Sequence, residues 1–276
     1  MAVSRAVLVT GCSSGIGRAT AERLAAAGWT VYASARRLES VQALEGCRPL
    51  QLDVTDDDSM RAAVEQIARE ADAIGVLVNS AGYSQSGAVE AVPLDEARRQ
   101  FDTNVFGLAR LTQLVLPGMR AQRWGRIVNV SSMGGKLTFP GGGWYHASKH
   151  ALEALSDALR FEVAGFGIDV VVIQPGLIRT GFAEAAVGSI EVGDGPYGRF
   201  DAAVGAATAG AYEGGFARRL GGGPETVAKT IEQAVTARRP RTRYRVTPSA
   251  RLFITLRRLL PDRGWDALVG RTYPRP

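Results

Sequence analysis

The stretch Thr10-Gly11-Cys12-Ser13-Ser14-Gly15-Ile16-Gly17 decides the fold because of what stands on either side of it. Residues 5–10 form a short apolar run typical of a buried strand, and residues 16–27 follow with helical spacing. Glycine lets the backbone turn tightly and approach a pyrophosphate, whose charge then rests on the free N–H groups of the helix N-terminus. This strand, glycine turn and helix therefore predict a dinucleotide-binding site at the start of the chain.

The same alternation of strand and helix continues outward from this stretch. Further strands are predicted at residues 29–35, 50–52, 76–79, 126–130 and 170–173, and helices at residues 56–71, 94–119 and 145–166. Regular alternation of this kind predicts an α/β protein with a single-domain Rossmann fold, a doubly wound parallel sheet with helices on both faces. We expect this domain to cover residues 1–248, with a helix at residues 224–236 and an edge strand at residues 244–246.

The pattern gives way to small residues after the last central strand. Residues 206–210 read AATAG and residues 221–223 are all glycine, so the segment offers little apolar surface for a core of its own. Long excursions of this type inside a compact domain are usually functional. We therefore predict a Gly/Ala-rich substrate lid at about residues 177–223, the alternative being a solvated loop.

The net charge of +6 is concentrated in the C-terminal tail. Residues 237–276 carry 11 Arg and 2 acidic residues, a net charge of +9, so the remainder of the chain has a net charge of −3. Within this region the apolar residues that recur at helical spacing before Pro261 are Leu252, Phe253, Leu256, Leu259 and Leu260. They predict that the tail, residues 249–276, forms a basic amphipathic helix. It would cover the substrate entrance of its own or a neighbouring subunit, or make weak contact with an anionic membrane surface.

Composition and charge exclude several other classes of protein. The apolar runs are strand-sized, far short of the roughly 20 residues that cross a bilayer. The first strand runs directly into the glycine turn and leaves no room for a cleavable signal, so we expect a cytoplasmic protein. Two cysteines, Cys12 and Cys47, are too few for a disulfide framework. The arginine tail lacks the interleaved aromatic residues of a nucleic-acid binder, so nucleic acid is not an expected partner.

The end of the second strand indicates which dinucleotide is bound. An acidic residue about 20 residues past the glycines normally binds the ribose hydroxyls of NAD. Here the strand ends in Ser34-Ala35-Arg36-Arg37, where two guanidinium groups are suited to a 2′-phosphate. The sequence therefore favours NADP(H) over NAD(H), unless both arginines are merely solvated surface charges.

A second motif supplies groups for proton transfer. Tyr145 and Lys149 are four residues apart at the start of a predicted helix and so share one of its faces, and Ser132 follows the preceding strand. A free tyrosine has a pKa of about 10, which a nearby ammonium group lowers. Lysine is also rare here, at 3 of 33 basic residues, and a compact ammonium suits this task. We expect Tyr145 to act as an acid and base.

Together these residues resemble the short-chain dehydrogenase/reductase family over about residues 3–180, and they are similar in part to its hydroxysteroid and retinol dehydrogenase branch. The resemblance implies a catalytic set of Ser132, Tyr145, Lys149 and Asn104. The residues expected to bind the cofactor are Gly11, Ser13, Ser14, Gly15, Ile16, Gly17, Arg36, Arg37, Asp53, Asn79, Ala81, Gly82, Tyr145, Lys149, Pro175, Gly176, Ile178 and Thr180.

The resemblance also implies a division of labour among the catalytic residues. Ser132 would bind the substrate oxygen, Lys149 would bind the nicotinamide ribose and tune Tyr145, and Asn104 would place a water in a proton relay. The substrate would be an apolar carbonyl compound or alcohol, and the protein would be a homo-oligomer. Ser80 departs from the family's usual asparagine, which puts local packing in doubt.

Two other interpretations compete with this one. The first is a non-catalytic sensor or scaffold that binds NADP(H) on the same fold, since fold does not fix function. The second is a metal site at His146 and His150, which we reject because two ligands four residues apart lack a third. No metal is therefore expected.

Overall fold

The computed structural model describes residues 3–213 and 219–275. The strands are β1 (Ala6–Val9), β2 (Thr30–Ala35), β3 (Cys47–Gln51), β4 (Val76–Asn79), β5 (Gly125–Val130), β6 (Ile168–Gln174) and β7 (Arg243–Arg245). The helices are α1 (Gly15–Ala26), α2 (Asp57–Ala71), α3 (Leu94–Phe101), α4 (Leu108–Ala121), α5 (Gly143–Val163), α6 (Phe182–Gly188), α7 (Gly198–Glu213), α8 (Pro224–Thr236), α9 (Pro248–Leu259) and α10 (Asp262–Val269).

The strands form one parallel sheet in the order β3-β2-β1-β4-β5-β6-β7, with helices on both faces. The prediction of a doubly wound parallel sheet is confirmed. Its basis is visible in β1, where Val7 and Val9 belong to the core on one face and Ala6 and Leu8 to the core on the other. Successive side chains of a strand point to opposite faces, so a strand covered on both sides must be apolar throughout.

The predicted helix at residues 94–119 is interrupted. The π-helical turn Asp102–Gly107 separates α3 from α4 and carries Asn104 inward. Such turns are frequent at functional sites. Gly107 permits this turn to pack closely, because a Cβ there would clash with the Val54 carbonyl oxygen.

The lid differs from its predicted conformation, whereas the predicted tail helix is present as α9 (Pro248–Leu259). Where the Gly/Ala-rich sequence indicated irregular chain, the structure has two helices, α6 and α7, within residues 177–213, and residues 214–218 of the predicted lid lie outside the described residues. The tail contains a second helix, α10, after the predicted one ends before Pro261. None of the helices among the described residues is long and apolar enough to span a bilayer.

Candidate active site

A cavity of about 1510 Å³ lies at the carboxyl ends of the central strands. This is the edge at which open α/β sheets bind their ligands. The glycine loop, the segments after β4 and β5, the start of α5 and the segment after β6 all line it. The site is thus assembled from loops that a rigid parallel sheet brings together.

The glycine loop has the backbone geometry that its sequence predicts. Gly11 has φ +73°, and a Cβ there would lie 2.9 Å from Ala81 Cα, while a Cβ at Gly17 would clash with the Gly11 carbonyl oxygen. Helix α1 starts at Gly15 without an acidic residue in its first turn and without a side-chain cap from Ser14. Its N–H groups at the cavity wall are therefore suited to the phosphates of a dinucleotide. Ser13 and Ile16 line the cavity beside them.

The two arginines after β2 occupy different positions. Arg36 lines the cavity, whereas Arg37 lies on the exposed loop and is not among the lining residues. Asp53 also lines the cavity, and its Oδ1 accepts hydrogen bonds from the Thr55 amide at 2.9 Å and hydroxyl at 2.7 Å. Of the two guanidinium groups considered for a 2′-phosphate, Arg36 has the suitable position.

The segment after β4 divides between the cavity and the core. Ala81 and Gly82 line the cavity, but Asn79 is buried and its Nδ2 donates to Asn129 Oδ1 at 2.9 Å. The structure therefore places Asn79 in the sheet rather than beside the other predicted cofactor-binding residues. The backbone N–H groups of Ser80 and Ala81 both donate to Thr10 Oγ1 at 3.0 Å, so the Ser80 departure leaves this contact intact.

Ser132 and Tyr145 meet at the cavity wall. Ser132 starts a short turn, Met133–Gly135, and its Oγ accepts a hydrogen bond from the Gly134 amide at 3.0 Å. Burial raises the pKa of Tyr145 to about 12, and a hydrogen bond with Ser132 opposes this rise. The phenol therefore retains its proton at neutral pH in the protein alone.

Lys149 lies on the same face of α5 as Tyr145, as its spacing predicts. Its Nζ is 5.8 Å from the centroid of the Tyr145 ring and donates to the Val130 carbonyl oxygen at 3.0 Å. Burial lowers the pKa of Lys149 to about 8, against the attraction of the Glu153 carboxylate. At neutral pH this ammonium is charged, but its proton is easily lost.

Asn104 stands behind the cavity wall and holds two segments together. Its Nδ2 donates to the Tyr83 carbonyl oxygen at 2.9 Å and to Ser148 Oγ at 3.1 Å, and its Oδ1 accepts from the Tyr83 amide at 3.1 Å. A Cβ added at Gly82 would lie 2.9 Å from Asn104 Oδ1 and 3.6 Å from Lys149 Nζ. The carboxamide and the ammonium therefore lie around the same glycine.

The segment after β6 completes the predicted set. Pro175, Gly176, Ile178 and Thr180 all line the cavity. The Pro175 carbonyl oxygen accepts from the Met133 amide at 2.8 Å, which ties this segment to the turn after Ser132.

The two histidines beside Tyr145 make local contacts. His146 Nδ1 lies 3.2 Å from the Gly134 carbonyl oxygen, and His150 Nδ1 lies 2.8 Å from the His146 carbonyl oxygen. Burial lowers the pKa of His146 to about 4. His146 thus packs as a neutral ring against the turn Met133–Gly135.

Part of the cavity lining consists of residues that the sequence motifs did not identify. They come from the lid and the tail and include Phe182, Tyr212, Phe253, Leu268 and Tyr273. Of these residues, only Phe253 belonged to a pattern in the sequence, the helical spacing of apolar residues in the tail. The tail helices therefore cover the cavity of their own chain.

Comparison with known proteins agrees with this geometry. The family model described as short chain dehydrogenase matches residues 5–189. The NADPH-dependent 3-dehydrocapnine reductase of Ornithobacterium rhinotracheale is 36% identical over 276 residues, covering 96% of this chain and 95% of the relative. The 3-ketodihydrosphingosine reductase of Bacteroides thetaiotaomicron is 43% identical over 178 residues, covering 64% of this chain and 65% of the relative.

Solved structures give the same fold with either cofactor. A short-chain dehydrogenase from Streptomyces avermitilis has a TM-score of 0.77 at 34% identity, with 96% of this chain and 97% of that chain covered. A serine dehydrogenase complexed with NADP+ has a TM-score of 0.76 at 26% identity, with coverage of 88% and 94%. An enzyme from Burkholderia phymatum complexed with NAD has a TM-score of 0.77 at 25% identity, with coverage of 98% and 96%. This chain belongs to the short-chain dehydrogenase family of oxidoreductases.

Proposed function

We propose that this chain is an NADP(H)-dependent oxidoreductase that interconverts an apolar carbonyl compound and its alcohol, with Tyr145 as the acid and base. The observation that carries the proposal is the convergence of Ser132, Tyr145 and Lys149 on the cavity that the glycine loop also lines. Among the described residues, the part of the cavity wall that comes from residues 182–212 and 253–273 carries no charged side chain, which favours an uncharged substrate because burying an unpaired charge there would be costly.

The chain's own residues manage the proton and the substrate oxygen, and a bound nicotinamide would supply or accept the hydride. Ser132 donates a hydrogen bond to the substrate oxygen. Tyr145 gives its proton to that oxygen in reduction and takes it back in oxidation. The Lys149 ammonium stabilises the phenolate that reduction leaves on Tyr145. We assign Asn104 to a water-mediated relay toward Lys149, since both groups lie around Gly82.

The proposed preference for NADP(H) rests on the part of the cavity wall at the carboxyl end of β2. Arg36 lines the cavity at the carboxyl end of this strand, where an enzyme that prefers NAD normally has a carboxylate. A guanidinium group binds a phosphate with paired hydrogen bonds. The Ornithobacterium relative is named for NADPH, in keeping with this assignment.

A panel of aldehydes and ketones, with NADPH or NADH followed optically, tests the proposal. We expect carbonyl-dependent oxidation of NADPH, with a lower kcat/KM for NADH. Tight NADPH binding without turnover of any carbonyl or alcohol would favour the alternative, a non-catalytic sensor or scaffold.

A further inference from the structure

The end of the cavity between the lid and the tail differs in chemistry from the catalytic end. Among the described residues, its lining side chains come from residues 182–212 and 253–273, and none of them carries a charge. The polar groups on this wall are hydroxyls, from Thr208, Tyr212, Thr272 and Tyr273. We call this region the chain subsite.

The chain subsite is continuous with the catalytic residues. The Tyr145 and Phe182 rings are 5.4 Å apart between centroids, so the subsite begins beside the catalytic phenol. Burial raises the pKa of Tyr212, and the neighbouring Tyr145 and Tyr273 raise it further. Tyr212 is thus close to the catalytic tyrosine and also to the end of the tail.

The cavity also has room for more than a cofactor. Its volume of about 1510 Å³ exceeds the roughly 300–1,000 Å³ of a typical single-ligand pocket. A dinucleotide would lie along the glycine loop and Arg36, which leaves the chain subsite for the substrate.

The lid and the tail contribute different side chains to the chain subsite. Ala207 and Ala211 are four residues apart on α7 and line the cavity, so this helix presents small groups along successive turns. Phe253 and Leu268 of the tail contribute larger apolar side chains to the same lining. The tail is fixed by Trp265, which is buried and donates from Nε1 to the Thr138 carbonyl oxygen at 3.0 Å.

We propose that the chain subsite binds a long, uncharged hydrocarbon chain, so that the substrates are aldehydes or ketones carrying such a chain and the corresponding alcohols. This inference rests on the proposed function, because the carbonyl group must reach Tyr145. The tail takes part in substrate recognition, since Phe253 and Leu268 bury part of the chain.

A homologous series of straight-chain aldehydes from butanal to dodecanal tests the inference. Each buried methylene stabilises the complex by an amount equivalent to about a threefold to fourfold change in affinity. We therefore expect kcat/KM to rise by roughly this factor per methylene until the subsite is filled. A carboxylate at the end of the chain opposite the aldehyde group, as in 12-oxododecanoate, should cancel most of the increase in kcat/KM. A value of kcat/KM that is independent of chain length, or a rigid polycyclic ketone reduced better than dodecanal, would overturn the inference.

Two pairs of variants locate the subsite. Ala207→Phe should lower the dodecanal-to-butanal ratio of kcat/KM at least tenfold, whereas Ala206→Phe, at an exposed neighbouring position outside the cavity lining, should not change it. In the tail, Leu268→Ser should lower the same ratio about fivefold or more, and Ala267→Ser should leave it unchanged. Equal ratios within either pair would mean that the wall in question does not contact the substrate.

A binding measurement separates this inference from the proposed function. Isothermal titration of the Tyr145→Phe variant with NADPH present can compare decan-2-one with butan-2-one without turnover. We expect decan-2-one to bind at least 100-fold more tightly. Equal affinities would reject the chain subsite even if the wild-type enzyme reduces aldehydes. Tighter decan-2-one binding without any wild-type turnover would reject the proposed function alone.

Discussion

The catalytic edge of the sheet and the lid-and-tail end of the same cavity are held together in different ways. At the sheet edge, glycines and backbone hydrogen bonds fix the chain, as in the approach of Gly11 to Ala81 and the two amides bound by Thr10 Oγ1. At the other end, the packing of side chains fixes the helices, with Trp265, Ile254 and Leu137 in one buried cluster. In the first region the backbone itself makes the close contacts, whereas in the second the contacts are between side chains.

Under the proposed function, the sheet edge carries out the reaction and the lid and tail select the substrate. In that proposal, the sheet edge places the Tyr145 phenol, the Lys149 ammonium and the N-terminus of α1 for one reaction whatever the substrate. The lid and tail supply uncharged lining residues to the same cavity, which we propose select the substrate. Changes in the two regions should therefore affect different measured quantities.

The largest effect is expected from Tyr145→Phe, at the sheet edge. The ring remains but the transferable proton is lost, so kcat should fall by about 10³-fold or more. The Kd of NADPH should stay within a few-fold of the wild-type value. Tyr197→Phe is the matched control, because the Tyr197 hydroxyl donates to Glu90 at 2.7 Å, outside the cavity lining. Near wild-type turnover by the Tyr145→Phe enzyme would contradict the mechanism.

In the tail, Trp265→Ala should act mainly on stability. Trp265 is 5% exposed, and truncating a buried Trp to Ala typically costs about 3–5 kcal/mol. Urea unfolding should show this loss in the free energy of unfolding. Trp265→Phe, which keeps an aromatic ring but not the hydrogen bond to Thr138, should lose much less. If both variants are as stable as the wild type, the tail does not pack on this domain.

The sheet edge was largely predictable from the sequence, because its rules are local. The sequence shows a glycine, Gly11, at the position that adopts φ +73°. It also shows Tyr145 and Lys149 one helical turn apart on α5. Asn79 shows the limit of this reasoning. It belongs to the same motif as Ala81 and Gly82, but lies within the sheet, where only tertiary structure shows that Asn129 and Thr112 are its partners.

The lid and tail were less predictable for two physical reasons. Helix α7 has few large apolar residues, so the helical periodicity of its apolar positions is weak in the sequence. Its alanines nevertheless favour a helix, and Val204 packs closely against Gly141. Helix α10 spans only eight residues and begins directly after Pro261. Its stability comes from burying Trp265 among residues distant in sequence.

A smaller effect at the sheet edge concerns the choice of cofactor. Ala35→Asp combined with Arg36→Ala should weaken NADPH binding roughly 10- to 100-fold, since hydrogen bonds to charged groups contribute about 1.5–3 kcal/mol. The new carboxylate should also strengthen NADH binding, so that the order of affinity reverses. Arg37→Ala is the control and should change the Kd of NADPH only slightly. Equal NADPH and NADH affinities in the wild type would mean that Arg36 is only a surface charge.

The smallest effect concerns His146, which joins the two regions. Its Nδ1 faces the Gly134 carbonyl oxygen, and its ring centroid lies 6.1 Å from that of Phe139, which in turn packs on Phe253 and Trp265 of the tail. Burial lowers the pKa of His146 to about 4, below the roughly 6.5 of a free histidine. The unfolded chain therefore binds a proton between these values that the folded chain does not.

Stability should consequently fall as the pH drops from about 6.5 to about 4, by at most about 3 kcal/mol in total from this group. Urea unfolding across this range measures the slope. His146→Gln should flatten the slope, while His150→Gln, at an exposed position, should keep it. The Asp57 and Asp157 carboxyls, whose pKa values are lowered to about 2 by hydrogen bonds and ion pairs with arginines, lose their contribution only below this range. If His146→Gln leaves the slope between pH 6.5 and 4 unchanged, folding does not lower the pKa of His146, and the buried neutral ring is not the source of the pH dependence.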